Sequence, residues 1–303
     1  MGSVVPPTMA RVAATSVYEY IAETAEATVA GVRWRTSGPR GTRHYDAPVA
    51  QGVAGIVFFL SDYWTTTGDD RARQLADEAV RWCANPQRLA RFRGMCAGRT
   101  GVGMGYLRHA VATGKDAVLR HATDVGDWLV AEAPRPVTDF WAGAAGKGVY
   151  LLRRWEATGD DRYLRKAVEH ADWLRSMAVV SDMGCRWPVS VAARGSRTSL
   201  GFGHGVAGVA YFLALLTTTT GDRRWADLVL AVAATLESVA RETCGLRNWP
   251  TNLGDDFAVK CQWCHGAAGI GQFYIQAFRA TGDARLLDAA REAGETTHAL
   301  GDI

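Results

Sequence analysis

What this chain lacks narrows it first. Its 34 basic and 31 acidic residues nearly cancel, leaving a formal charge of +3. No polybasic run occurs, so nothing points to nucleic acid. The stretch 1-MGSVVPPTMARVAATSVYEY-20 has no charged leader ahead of an apolar core, which argues against a secretory signal. The one long uncharged stretch, Ser199 to Gly221, is broken by glycines, threonines and a histidine, and suits a buried helix rather than a membrane span. The six cysteines (Cys83, Cys96, Cys185, Cys244, Cys261 and Cys264) form no dense framework, so reduced thiols are expected. A cytoplasmic protein without a membrane span is the expectation. What is present is an ordinary globular balance, 48% hydrophobic and 21% charged, enough to bury a sizeable core.

A repeat organises the chain. Five Gly-x-x-Gly pairs stand at Gly52/Gly55, Gly98/Gly101, Gly143/Gly146, Gly205/Gly208 and Gly266/Gly269. Thirteen residues after each second glycine comes another, always preceded by threonine: Gly68, Gly114, Gly159, Gly221 and Gly282. In four of the five the tripeptide is Thr-Gly-Asp, and the second repeat has Thr113-Gly114-Lys115. Glycine suits the left-handed turn just past a helix, and aspartate suits the N-cap of the next. Thr-Gly-Asp therefore predicts a tight turn between two antiparallel helices. The segment after it is amphipathic, as with Leu164, Ala167, Val168, Ala171 and Leu174 in the third repeat. The segment before it is more apolar and should lie deeper.

Each repeat thus reads as a helical hairpin, and hairpins of this kind stack into a solenoid or close into an α/α toroid. The glycines favour the toroid, because inner helices crowding towards one axis need small residues. The expected fold is therefore all-α, a single domain over residues 1–303, with repeats starting near 52, 98, 143, 205 and 266. Residues 11–34 read as one further helix, with Tyr18, Ile21, Ala22, Ala25 and Val29 on one face. Repeat starts are separated by 46, 45, 62 and 61 residues, and the two longer units carry similar insertions, 184-GCRWP-188 and 245-GLRNWP-250. Such extended connections tend to decorate one end of a scaffold and to carry function.

Aligned on the first glycine, the preceding position holds Gln51, Ala97, Ala142, His204 and His265. The one before that holds Ala50, Cys96, Trp141, Gly203 and Cys264. Two histidines at equivalent places, beside cysteine and glycine, are candidates for function, although a lone histidine in an apolar run is ordinarily a core residue. Cys261, Cys264 and His265 also spell Cys-x-x-Cys-His, a c-type haem attachment sequence. That reading is disfavoured by the missing export signal and by the motif's place inside the repeat frame. Zinc suits the donors better: a catalytic zinc takes three protein ligands from cysteine, histidine and carboxylate and keeps one position open. Cys264 at the start of an inner helix would favour the thiolate. A plain structural cysteine is the alternative.

The hairpins together with 203-GHGVAG-208 and 263-WCHGAAG-269 resemble the lanthionine synthetase C-like family from about residue 45 onward. The resemblance implies an α/α toroid of seven hairpins around a zinc ion, of which this sequence holds five and the N-terminal helix. It also implies a reaction, the addition of a cysteine thiol across a dehydroalanine or dehydrobutyrine double bond to close a thioether. Partners would be a dehydrated precursor peptide or a glutathione-like thiol, and a dehydratase. Carried over, Cys264 is the first zinc ligand, His204 the acid/base histidine and Asp139 an active-site aspartate. Lys260 stands where cyclases commonly have arginine, and His265 where some members have tyrosine. The family's remaining cysteine and histidine ligands are expected beyond Ile303, with Cys261 and His265 as substitutes within the chain. Two other classes stay open: a carbohydrate-active α/α toroid, for which Asp139 with Asp255 or Asp256 would be the carboxylates, and a non-catalytic thiol- or peptide-binding scaffold.

Overall fold

A computed structural model describes residues 7–37, 43–85, 92–133, 137–182, 184–188, 198–243, 245–256 and 260–301. Cys244 lies outside them. Two compact units are present, Met1–Ala131 and Glu132–Ile303. The first holds α1 (Pro7–Glu23), the paired strands β1 (Glu26–Thr28) and β2 (Gly31–Arg33), and the pair β3 (Thr36–Ser37) and β4 (Arg43–His44). Two helical hairpins follow, α2 (Val53–Thr67) with α3 (Asp70–Cys83) and α4 (Arg99–Thr113) with α5 (Asp116–Val130). The second unit holds α6 (Ala144–Thr158) with α7 (Asp161–Met177), α8 (Val206–Thr220) with α9 (Ala226–Val239), and α10 (Ala267–Thr281) with α11 (Ala284–Gly301). Strands β5 (Val179–Ser181) and β6 (Gly184–Arg186) follow α7, and β7 (Arg241–Thr243) and β8 (Leu246–Asn248) follow α9. Among the described residues no helix is long and apolar enough to cross a membrane.

The Thr-Gly-Asp turns form as the residues dictate. Gly68, Gly159, Gly221 and Gly282 close their helices at φ between 67° and 77°, the left-handed region that favours glycine. Asp69 and Asp160 cap α3 and α7, accepting from the backbone N–H of Arg71 and Arg162. The even-numbered helices are the buried ones: in α8 every residue from Val206 to Ala210 is buried. Helix α8 packs against both α6 and α10.

The Gly-x-x-Gly pairs answer to the backbone in front of each helix rather than to a neighbouring helix. A Cβ on the second glycine would stand about 2 Å from the carbonyl oxygen six residues earlier. These oxygens belong to Val49, Met95, Phe202 and Trp263, facing Gly55, Gly101, Gly208 and Gly269. The loop leading into each buried helix folds back over its first turn, and only glycine leaves room. Equivalent loops then interlock through the backbone: Ala50 N–H donates to Cys96 O (2.9 Å), Trp141 N–H to Gly203 O (2.8 Å) and Gly203 N–H to Cys264 O (3.2 Å). Three residues before the first glycine, Phe140, Phe202 and Trp263 gather in one aromatic cluster, the Phe202 ring tilted against the other two with centroids 4.9 and 5.1 Å apart and Phe140 edge-on to Trp263 at 5.7 Å.

The two sequence insertions are short β-hairpins that each end in a buried tryptophan. Trp187 donates its indole N–H to Leu174 O (2.7 Å) and Trp249 to Leu236 O (2.9 Å), in each case thirteen residues back at the end of the preceding helix. The region expected to continue a helix to residue 34 holds a third copy. Helix α1 stops at Glu23, and β1–β2 carries Trp34, which donates to Ile21 O (2.8 Å), again thirteen residues back. Gly31 opens β2 at φ 124°, where a side chain would strike Glu78 O of α3, and Val29 in the turn before it is fully exposed. Thr28 and Val32 are β-branched and favour the extended backbone of β1 and β2.

One buried group carries a pH prediction. His170 on α7 is 1% exposed, and neither ring nitrogen has a hydrogen-bond partner among the described residues. Burial first, then the Lys147 and Lys166 cations, push its pKa down to about 3. The unfolded imidazole titrates near 6.5, so the unfolded chain binds the extra proton between those values. Stability is therefore intact above pH ~6.5 and falls by about 1.4 kcal/mol per unit as pH drops through that window. Urea midpoints at pH 7.5 and 5.5 should separate in the wild type and lie closer in His170→Leu. An equal separation in both would remove this role.

Candidate functional site

The candidate site lies in the second unit, on the loops before α6, α8 and α10. Asp139, 3% exposed, sits in the turn ahead of α6. Its Oδ1 accepts the Ala142 N–H (2.8 Å) and its Oδ2 faces His204 Nδ1 at 3.0 Å. A carboxylate only accepts, so His204 carries its proton on Nδ1 and keeps Nε2 for other work. Asp139 and His204 are 65 residues apart in sequence. The link from Trp141 N–H to Gly203 O brings their loops together. The Trp141 indole lies 5.1 Å from the His204 ring at 34°, and the His265 ring lies 6.1 Å from it. The imidazole is thus held by a carboxylate at one nitrogen and bordered by rings, while its side chain is 40% exposed.

Cys264 is carried on a tight turn. Gln262 N–H donates to His265 O (2.7 Å) and His265 N–H to Gln262 O (3.1 Å), leaving Trp263 and Cys264 at the tip. A Cβ on Gly203 would come within 3.0 Å of Cys264 Cβ, so the bare backbone of Gly203 is what lets this turn seat beside His204. The Cys264 thiol is half-buried and donates to Gln262 Oε1 at 3.9 Å. His265 is half-buried, and its Nδ1 has no partner among the described residues. Burial first, then the Lys260 cation and His204, hold its pKa below the ordinary imidazole value. Lys260 is exposed, and its charge reaches His265.

Asn248 was invisible to sequence reasoning and holds this corner together. Buried at the end of β8, it donates to Lys260 O (3.1 Å) and accepts the Ala267 N–H in the first turn of α10 (3.0 Å). The insertion 245–250 thus anchors the loop that presents Cys264. Its signal was faint: an asparagine preceding the strap tryptophan, with no counterpart in the shorter 184-GCRWP-188.

The described donors do not by themselves make up a zinc site. A catalytic zinc takes three protein ligands, and among the described residues no three His, Cys, Asp or Glu gather to hold a metal. Cys261 turns its sulfur to Thr296 O on α11, at 3.8 Å, and Asp139 is engaged with His204. Of the carboxylates considered for a sugar-cleaving pair, Asp255 is tied to the Asn252 backbone and side chain at 3.0 Å.

Known structures of the same architecture exist. The chain is similar to nisin cyclase at 14% identity, covering 97% of this chain and 76% of that one, with a TM-score of 0.66. It is also similar to a sugar epimerase from a ruminal bacterium (12% identity, 95% and 86% covered, TM-score 0.67). A family 76 glycoside hydrolase from a bovine Bacteroides thetaiotaomicron strain matches at 14% identity, with 93% and 67% covered and a TM-score of 0.62. At such identities the likeness shows the fold alone, the α/α toroid expected from the repeats. No curated protein matches by sequence. The family described as lanthionine synthetase C-like protein, however, matches residues 44–303, from just before the first repeat to the last helix. The chain belongs to the lanthionine synthetase C-like family.

Proposed function

We propose that this chain adds a thiol across the double bond of a dehydrated residue, forming a thioether. The observation that carries the reading is the His204–Asp139 pair, 3.0 Å apart, with His204 next to the Gly203 that seats the Cys264 turn. With Nδ1–H held by Asp139, His204 Nε2 takes the proton from the substrate thiol, and the carboxylate offsets the imidazolium charge. The sulfur bonds to the β-carbon while the π pair moves towards the carbonyl, giving an enolate. His204 then returns its proton to the α-carbon, so the S–H hydrogen ends on carbon and the enzyme is unchanged. Lys260 supplies positive charge for the enolate oxygen, and the Trp141 face confines the imidazole.

Zinc at Cys264 is what the family resemblance implies. Because the described side chains supply fewer than the three ligands it needs, no step here runs through a metal.

The test is mass spectrometry of a dehydroalanine-containing peptide incubated with glutathione, or carrying its own cysteine. Intermolecular addition raises the mass by one glutathione. Cyclisation leaves the mass unchanged and abolishes alkylation of the cysteine. Neither product above the uncatalysed background would defeat the proposal. The fold is shared with sugar-acting enzymes, so chromogenic glycosides serve as the comparison. Their cleavage without any thioether would favour the carbohydrate reading.

A further inference from the structure

The loops ahead of the five buried helices follow one rule four times and break it once. In the first four, the residue after the first glycine donates its backbone N–H to the carbonyl seven residues earlier and closes the loop on itself. These bonds run from Val53 to Asp46 (3.0 Å), Arg99 to Phe92 (2.9 Å), Ala144 to Val137 (2.9 Å) and Val206 to Ser199 (3.0 Å). The equivalent groups in the fifth loop are Ala267 N–H and Lys260 O, and the Asn248 amide stands between them. Its Oδ1 takes the Ala267 N–H (3.0 Å) and its Nδ2 donates to Lys260 O (3.1 Å). One side chain has entered a bond that the other loops make directly.

The backbone departs at the same place. Gly52, Gly98, Gly143 and Gly205 have φ of −152°, −144°, −104° and −124°, open to any residue. Gly266 stands at φ 98° and ψ −164°, a combination that glycine alone tolerates. The ψ angles of the other four lie between −162° and −174°, so the difference is a rotation of the peptide joining His265 to Gly266. His265 O then accepts the Gln262 N–H that closes the Trp263–Cys264 tip (2.7 Å), and the other four loops lack this bond among the described residues. The strap supplies the amide specifically here. In strand register, Asn248 takes the place held by Arg33 and Arg186 in the other two straps. Arg186 is exposed and Arg33 half-buried, whereas Asn248 is 1% exposed.

We propose that Asn248 is a positioning residue for thioether formation, its amide wedging the Cys264 loop into a form that the other four loops do not take. The wedge keeps Ala267 N–H and Lys260 O apart, turns the His265–Gly266 peptide over, and so sets Cys264 and His265 beside His204. The catalytic consequence rests on the reaction proposed above; the wedge itself does not.

The experiment is a crystal structure of Asn248→Ala together with steady-state rates on the dehydroalanine peptide and glutathione. Without the amide, Ala267 N–H should bond directly to Lys260 O, and Gly266 should return to a negative φ. The folded variant should lose about 10–100-fold in kcat with KM within about twofold, the pattern of misplaced reacting groups rather than of a lost binding contact. Gly266 still at positive φ in the variant would overturn the wedge. A merely structural asparagine would lower the urea midpoint yet leave the folded chain with wild-type kcat, and that result would overturn the positioning role. Asn248→Asp is the second variant, should the alanine chain not fold. As a carboxylate it still accepts the Ala267 N–H but cannot donate to Lys260 O, and it should show the same selective loss in kcat. If the wild type forms no thioether, the proposed reaction fails, and the position of Gly266 in the variant still decides the wedge.

Discussion

His204→Ala should lower the rate of enzyme-catalysed thioether formation by about 10²–10⁴-fold, the usual contribution of a positioned general acid–base. The fold should survive, because the side chain is 40% exposed and its contacts are Asp139 and neighbouring rings. Asp139→Asn should cost nearly as much for a different reason. The carboxylate uses one oxygen for the Ala142 N–H and the other for His204 Nδ1. An asparagine has a single acceptor oxygen, so keeping the Ala142 bond turns its NH₂ towards His204. That favours the tautomer with the proton on Nε2, which cannot take one from a thiol. Circular dichroism and initial rates on the dehydroalanine peptide decide the matter: a folded His204→Ala chain with wild-type turnover would remove His204 from the chemistry. If His204→Ala is inactive and Asp139→Asn fully active, the histidine works without its carboxylate.

The same pair shows how far the sequence could be read. Repeat alignment marked His204 and His265 as polar exceptions in a ring of small residues, but periodicity could not say which of them was held by a carboxylate. Asp139 entered through the family resemblance; the 65-residue separation is bridged only once the loops before α6 and α8 lie side by side. The helices and their turns were legible because they are settled locally, by a left-handed glycine and, ahead of α3 and α7, a capping aspartate next to it; the N-cap of α9 is Trp225 rather than the aspartate of its Thr-Gly-Asp. The strap hairpins were half-legible. Gly-Cys-Arg-Trp at 184–187 and Gly-Leu-Arg-Asn-Trp at 245–249 stood out by following complete repeats. Gly-Val-Arg-Trp at 31–34 precedes the first Gly-x-x-Gly and lacks the proline, and Ala25 and Val29 mimic helical spacing. Asn248 was out of reach, since it caps a helix that begins 19 residues later and a cap at that range has no sequence pattern.

Gly208→Ala should be the most damaging single methyl group that can be added to α8. Helix propensity alone favours the change, alanine being about 1 kcal/mol better than glycine inside a helix. The surroundings oppose it: the new Cβ would stand 1.9 Å from the Phe202 carbonyl oxygen and 2.9 Å from Phe140 Cβ. The first contact is with backbone, which has no rotamer to change, so the loop from Phe202 to Gly205 must lift off its own helix. Lifting it disturbs the Phe140–Phe202–Trp263 cluster and draws Gly203 away from both Trp141 and Cys264. Overpacking of buried backbone belongs to the few mechanisms that reach about 4 kcal/mol or more, enough to leave little folded protein. Gly221→Ala is the matched control. It sits at φ 72° with nothing within 4 Å of a new Cβ, so only the left-handed backbone resists, at about 1–2 kcal/mol. Urea midpoints should therefore fall far more in Gly208→Ala than in Gly221→Ala. Any Gly208→Ala protein that does fold should lose thioether formation, because His204 rides on the displaced loop. Equal midpoints for the two variants would mean that the loop yields easily and that Gly-x-x-Gly answers to something other than the carbonyl six residues before it.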